Sequence, residues 1–394
     1  MNRAWLTLGL MSALFFIITA ATFDSLGLVL PAMVAELGWS WTQAGLGFTL
    51  LAVFCGVTAT VPAALIRRLG VRANLLIGSA VMGCAYLCLA RAHGLALYFI
   101  GASLAGLGFT LLDTVPGTYL LARLFPRPAF AIGLYFTIGG LGAIFGPLFY
   151  FAVIGVTGEW RSYWILVGAL VVAAGVLAAL LVDARTDVSA AAEADPDISP
   201  ESWTARAAMK TVQFWVLAAA YSAFLFCGIT ANSVSVAHLI QQGVTAMLAG
   251  SMIGISGVVN AAARLAGGLL TRFVNARLLL LASLACLIIG LVALSQARSV
   301  PMMLVYAAGI GVGYGLTFFA SSILLLNYFG RRPYLELFST VNLISSVGAV
   351  APFLAGLSRD RLGAFTPFFL GLSALVAVVL AAAALMRPPH KAPA

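Results

Sequence analysis

The chain of 394 residues is 62% hydrophobic and 8% charged, against roughly a quarter charged in an ordinary soluble domain, which excludes a fold that turns its whole surface to water. Its net charge of +9 would point to nucleic acid if the basic residues clustered on one soluble face. They punctuate apolar runs at short intervals instead, so no nucleic-acid partner is expected.

Apolar runs follow one another at 5–32, 42–66, 74–92, 95–120, 129–153, 162–183, 210–238, 246–270, 277–297, 300–327, 335–357 and 363–386. At about 20 residues per crossing they predict an all-α integral membrane protein of twelve transmembrane helices. The first run is too long for a signal peptide and lacks its small-residue cleavage pattern, so it is expected to remain as the first span. With a cytoplasmic N-terminus, the inner loops and tails hold fifteen basic residues, including Arg67, Arg68, Arg123, Arg127, Arg331 and Arg332, and the outer loops hold five, Arg91, Arg161, Arg298, Arg359 and Arg361. The positive-inside rule then predicts both termini in the cytoplasm and a multi-pass protein of the cell (inner) membrane. Cys55, Cys84, Cys88, Cys227 and Cys286 all lie inside apolar runs, where cysteine is a small core residue and no metal site is expected.

A single long polar connection, 184–209, carries Asp187, Glu193, Asp195, Asp197 and Glu201 and divides the runs six and six. This predicts a first six-helix bundle over 1–183, a cytoplasmic linker over 184–209 and a second bundle over 210–394. Ser199-Pro200-Glu201 reads as an N-cap followed by Pro at the first helical position, the start of a short surface helix. The halves repeat at an offset of 204 to 205: Arg68-Leu69 matches Arg272-Phe273, Phe125-Pro126-Arg127 matches Phe329-Gly330-Arg331, and Pro147 matches Pro352. A parallel repeat of six-helix units is the plan of a two-bundle alternating-access carrier with its site between the halves near the midplane.

Several segments carry a family resemblance: Asp24-Ser-Leu-Gly27 in the first span, Gly38-Trp39-Ser40 after it, and GLGFTLLDTVPGTYLLARLFPRPAFAIG across the fourth and fifth spans. Two more are His238-Leu-Ile and Asn260-Ala-Ala-Ala-Arg264-Leu-Ala-Gly267 in the second half. With these the chain resembles the major facilitator superfamily, and within it the monocarboxylate transporter and oxalate:formate antiporter branches. The resemblance implies the major facilitator fold of two pseudo-symmetric six-helix bundles. There are departures. Arg67 stands where the family's loop between the second and third spans carries an acidic latch residue, as Thr271 does in the second-half copy. Asn260 stands where several monocarboxylate carriers place a proton-coupling aspartate.

Arg264 is the most informative side chain, because a permanent charge inside hydrocarbon is costly unless it faces protein, water or an anion. On helical spacing Ser256, Asn260, Arg264, Gly267 and Thr271 share a face. The planar fork of Arg264 would hold a carboxylate bidentately; the alternative is that it snorkels to the cytoplasmic interface. Asp113 sits too deep for its short stem to reach water and is either a proton-coupling site, its pKa raised by burial, or a structural partner of a neighbouring helix. Asp24, towards the outer end of the first span, ranks below Asp113 as a proton-coupling candidate. Tyr119, Tyr314 and Phe318 resemble the aromatic cavity lining of the carboxylate carriers, although aromatics in spans also serve packing. Asn232 and Asn342 either meet substrate or tie helices together, and His238 at the outer interface is structural or proton-sensing.

The chain has no phosphate-binding loop, no Gly-x-Ser-x-Gly and no His-Glu-x-x-His, so neither an enzyme nor a cofactor is expected. The expectation is a monomeric secondary transporter of a small organic anion, most of all a monocarboxylate such as lactate or pyruvate, by proton symport or anion exchange. Substrate binding falls to Arg264, Asn260, Tyr119, Tyr314 and Phe318, and proton coupling to Asp113 or Asp24. The rival is a proton-driven exporter of neutral or lipophilic drugs or metabolites.

Overall fold

A computed structural model of the protein describes residues 3–125, 128–182, 203–270, 273–330 and 333–389, and within its helices leaves a few side chains, that of Asp24 among them, outside the description. The first half contains α1 (Arg3–Ala21), α2 (Phe23–Leu37), α3 (Trp41–Val57), α4 (Val61–Ala90), α5 (Leu95–Leu112), α6 (Thr114–Leu124), α7 (Pro128–Gly140), α8 (Gly142–Thr157) and α9 (Trp160–Leu181). The second contains α10 (Ala205–Ala208), α11 (Val212–Gln241), α12 (Ala246–Leu270), α13 (Ala276–Ser295), α14 (Val300–Phe329), α15 (Tyr334–Ser345), α16 (Ala351–Leu362) and α17 (Thr366–Leu385). Among the described residues eleven helical segments are long and apolar enough to cross a membrane, and α3 is a shorter apolar helix. The protein is an all-α, multi-pass membrane protein, in keeping with twelve spans.

Two local departures from unbroken runs stand out. The expected span 42–66 is α3 followed by a turn at 58–60 and the start of α4, and Gly70, whose φ of 82° suits glycine, marks the expected connection to the next span. The expected span 95–120 breaks at Asp113, where ψ is −129°. Pro116 lies four residues after Leu112, lacks an N–H and would drive its ring into that carbonyl, so the helix cannot run through. Asn74 compensates by donating from Nδ2 to the Leu111 carbonyl at 2.7 Å. The predicted cap at Ser199 and most of the linker, 183–202, lie outside the described residues; α10 is capped by Thr204, which accepts from the Ala207 amide.

The described chain divides into two compact units. One comprises Met1–Thr186 together with Thr230–Val258 and Ala349–Phe365; the other comprises Asp187–Ile229, Val259–Gly348 and Thr366–Ala394. In the first unit, the final stretch of α11 and all of α16 pack against helices of the first half through positions that tolerate no side chain. A Cβ at Gly27 would lie 1.7 Å from the Asn232 carbonyl oxygen, one at Gly45 would lie 2.1 Å from that of Pro352, and one at Gly356 would lie 2.2 Å from that of Trp41. Removing the side chain lets backbones touch, which replaces the absent hydrophobic drive between helices in lipid with dense van der Waals contact.

Asp360, near the end of α16, accepts hydrogen bonds from the backbone amides of Trp41 (3.1 Å) and Thr42 (2.7 Å) and from the Thr42 hydroxyl. A carboxylate from a distant helix thereby caps α3 at its positive end, alongside the local capping box of Ser40 and Gln43. The Trp41 ring packs edge-on against Phe365 at 5.4 Å. Glu36 ties the end of α2 to the start of α9 by accepting from Trp160 Nε1 at 2.6 Å and pairing with Arg161.

In the second unit, Gly309 and Gly313 of α14 face α13: a Cβ at Gly309 would lie 2.7 Å from the Gly290 Cα and one at Gly313 would meet the Leu287 side chain at 2.5 Å. Gly315 faces α12 instead, where a Cβ would lie 2.6 Å from the Asn260 carbonyl oxygen. The glycine run of α14 thus serves two neighbours at once.

Candidate functional site

Arg264 is half-buried on α12. Its Nε donates to the side-chain oxygen of Asn260, one turn earlier, at 3.0 Å, and its guanidinium carbon lies 4.9 Å from the Phe318 ring centroid and 5.8 Å from that of Tyr314. Among the described residues no carboxylate pairs with it. With Nε held by Asn260, the two terminal nitrogens keep the parallel N–H geometry that matches a carboxylate. The cation–π contacts stabilise the charge by about 0.5–2 kcal/mol each without neutralising it.

Two glycines position these groups. Gly315 admits α12 so closely that its missing Cβ would stand 3.0 Å from Asn260 Oδ1. Gly228 of α11 leaves room for the Tyr314 ring, which a Cβ there would strike at 2.1 Å.

The wall continues beyond the residues that the sequence singled out. Tyr221 and Phe224 of α11 join it, with Phe224 4.8 Å from Tyr314 and Tyr221 5.9 Å from Phe318. Tyr334 and Phe338 of α15 stack at 5.7 Å, and Phe338 lies 5.8 Å from Tyr221. Each of three helices contributes two aromatics three or four positions apart, 221 and 224, 314 and 318, 334 and 338. That shared spacing is a signal in the sequence, although only the α14 pair was read from it. Asn342 ties the wall together, accepting from the Tyr221 hydroxyl at 3.0 Å and donating to the Phe338 carbonyl at 2.9 Å.

Arg264, Asn260, Tyr314 and Phe318 therefore gather in one compact unit, while Asp113 and Tyr119 belong to the other. Asp113 is 7% exposed. Tyr135 is fully buried, and its ring fills the space left by Gly117, whose Cβ would meet the phenol oxygen at 2.5 Å. Tyr119 is half-buried on α6. The side chain of Asp24 lies outside those described, as do Thr271 and the loop arginines Arg127, Arg331 and Arg332. His238 is fully buried, with its ring 6.3 Å from that of Phe365. Among the described residues no cluster of three His, Cys, Asp or Glu is placed to hold a metal ion. A cavity of about 400 Å³ between α1, α8 and α9 is lined by Phe16, Ala20, Phe145, Leu148 and Val167 among others, and contains none of the sequence-predicted site residues.

The family profile described as Major Facilitator Superfamily matches residues 10–350. The chain belongs to the major facilitator superfamily. It is a transporter and not an enzyme, and it acts on small-molecule substrates in a membrane. Two solved facilitator structures share its fold over nearly the whole chain. A bacterial homologue of the human lysosomal transporter Spinster, in an inward-facing and unoccupied conformation, aligns at 16% identity with a TM-score of 0.72, covering 97% of this chain and 94% of its own. A variant of the nucleoside transporter NupG aligns at 14% identity with a TM-score of 0.77, covering 97% and 99%. No curated protein matches the sequence.

Proposed function

We propose that this facilitator is a secondary active transporter of a small organic monoanion, a monocarboxylate such as lactate or pyruvate, working by proton symport or anion exchange. The observation that carries the reading is Arg264: a guanidinium within a span, held at Nε by Asn260 and with no carboxylate partner among the described residues. A charge at the centre of a membrane helix costs about 2.5–3.5 kcal/mol on the insertion scale; Arg264 stands nearer the end of α12, where the cost is smaller, and a cargo anion offsets what remains. Arg264 binds the carboxylate, Asn260 orients the guanidinium, and Tyr314 and Phe318 flank it. Tyr119 is the contribution of the first half, and Asp113, with Asp24 second, is the proton carrier.

In this reading the bundles 1–183 and 210–394, joined by the linker 184–209, rock about the site in a monomer of the cell (inner) membrane with both termini cytoplasmic. Anion bound to Arg264 lowers the net charge of the site and thereby the cost of reorientation. The resemblance to the monocarboxylate and oxalate:formate branches supports the choice of anion. The absence of a second basic residue of that pattern in the eleventh span supports one carboxylate over two.

A second reading, export of a neutral or lipophilic compound, is favoured by the breadth of the aromatic wall. Uptake of labelled small carboxylates into proteoliposomes, with and without an inward proton gradient, separates the two. Uptake stimulated by the gradient and lost in both Arg264→Ala and Asp113→Asn is the expected result. Wild-type protein indifferent to carboxylates, with Arg264→Ala unchanged on other compounds, overturns the anion site and leaves the exporter.

A further inference from the structure

We infer that the carboxylate bound at Arg264 is carried on a flat, apolar body, so that the preferred cargo class is the aryl or arylalkyl monocarboxylates rather than hydroxylated or doubly charged acids. The inference rests on the anion reading of Arg264 and, within the monocarboxylates, ranks aryl acids above lactate and pyruvate.

The groups around the guanidinium sort into two kinds. The surfaces presented beside it are ring faces and edges: Tyr314, Phe318 and Phe338 are each part-exposed, backed by Tyr221 and Phe224, which are 3% exposed each. Rings stack or meet edge to face with other rings at the 4.6–6.5 Å spacings already present here.

Several polar side chains of the same wall are already engaged. The Asn260 oxygen accepts from Arg264, Asn342 joins Tyr221 to the Phe338 carbonyl, and the hydroxyls of Ser222 and Ser322 donate to carbonyls one turn back in their own helices at 2.8 Å each. An aromatic body placed on these rings requires no polar partner, whereas a substrate hydroxyl loses water hydrogen bonds that ring faces do not replace. A second carboxylate would need a second cation. Among the described residues of this unit, the other basic side chains, Arg206, Lys210, Arg277, Arg298 and Arg387, lie in loops or at helix ends.

The test is equilibrium competition on the purified full-length protein, with labelled benzoate as the probe and unlabelled benzoate, phenylpyruvate, pyruvate, lactate and oxalate as competitors. Benzoate and phenylpyruvate are expected to compete about tenfold or more better than pyruvate, lactate or oxalate. Phe318→Leu is expected to remove most of that preference while pyruvate affinity stays within about threefold. Tyr314→Leu serves as the second variant, and the wild-type ranking stands on its own if neither variant folds. Equal competition by lactate and benzoate, both lost in Arg264→Ala, overturns the aryl preference and leaves the anion site intact. If benzoate fails to bind, labelled pyruvate is applied next: pyruvate binding that depends on Arg264 rejects the aryl class alone, and no carboxylate binding at all rejects both.

Discussion

At Arg264 a single hydrogen bond, from Nε to Asn260, leaves the two terminal nitrogens for the proposed anion. Because Asn260 occupies Nε at 3.0 Å, truncating it frees the guanidinium to rotate, and Asn260→Ala should weaken carboxylate binding several-fold while leaving the charge in place. Arg264→Lys keeps the charge but loses the fork. With two charge-assisted bonds at about 1.5–3 kcal/mol each at stake, binding should fall at least tenfold, measured by the same competition assay. Asn260→Asp discriminates further. An ionised aspartate one turn from Arg264 would pair with it and exclude the anion, so binding should fall below that of Asn260→Ala. Equal affinity of the two variants would show that Asn260 does not govern the guanidinium. The residue scale is also where the sequence was most informative, since a charge inside a hydrophobic run is conspicuous. The engagement of Asn342 with Tyr221 and Phe338 was not legible, because an asparagine in a span reads identically whether it faces cargo or a neighbouring helix.

Among the elements, α3 and α16 depend on groups far apart in the chain. Asp360 supplies the cap of α3 from a separation of more than 300 residues, and no local pattern announces it: beside Arg359 and Arg361, it reads as a charged loop residue. Removing a cap costs about 0.5–2 kcal/mol, so Asp360→Ala should loosen the contact of α16 with α3. In that background a cysteine at Thr49, whose hydroxyl accepts from the Phe353 amide at 3.3 Å, should react faster with a membrane-impermeant thiol reagent than it does with Asp360 present. Unchanged reactivity would mean that the glycine contacts alone hold the seam. In α14, Gly315→Val should displace α12 and disturb the Asn260 anchor, lowering carboxylate binding more than Gly311→Ala does. The break at Asp113 was partly legible: Pro116 marks it, but the carboxylate at the break and the rescue of the Leu111 carbonyl by Asn74 required the neighbouring helices to be in place.

For the whole molecule, the distribution of basic residues makes an orientation claim that is independent of the site. A single cysteine at Ser299 in a cysteine-free background should be labelled from outside intact cells, and one at Lys391 only after permeabilisation. Labelling of Lys391→Cys in intact cells would reverse the orientation without touching the fold. The repeat of six helices was read from matched arginines and prolines, yet the compact units do not follow chain order, because parts of α11, α12 and α16 pack with the first half.

Hydropathy alone determined the all-helical membrane class and the approximate position of the spans, because a backbone in lipid must satisfy its hydrogen bonds within each segment and the code for that is local composition. It also exposed Arg264, because a charged residue inside an apolar run is visible in local composition whatever surrounds it in the fold. The tertiary structure decided what surrounds that charge: the anchoring by Asn260, the aromatic pairs from α11 and α15, and the seam capped by Asp360. Those features arise from helix faces meeting across long sequence separations, and which face meets which is settled by packing, which no single helix encodes.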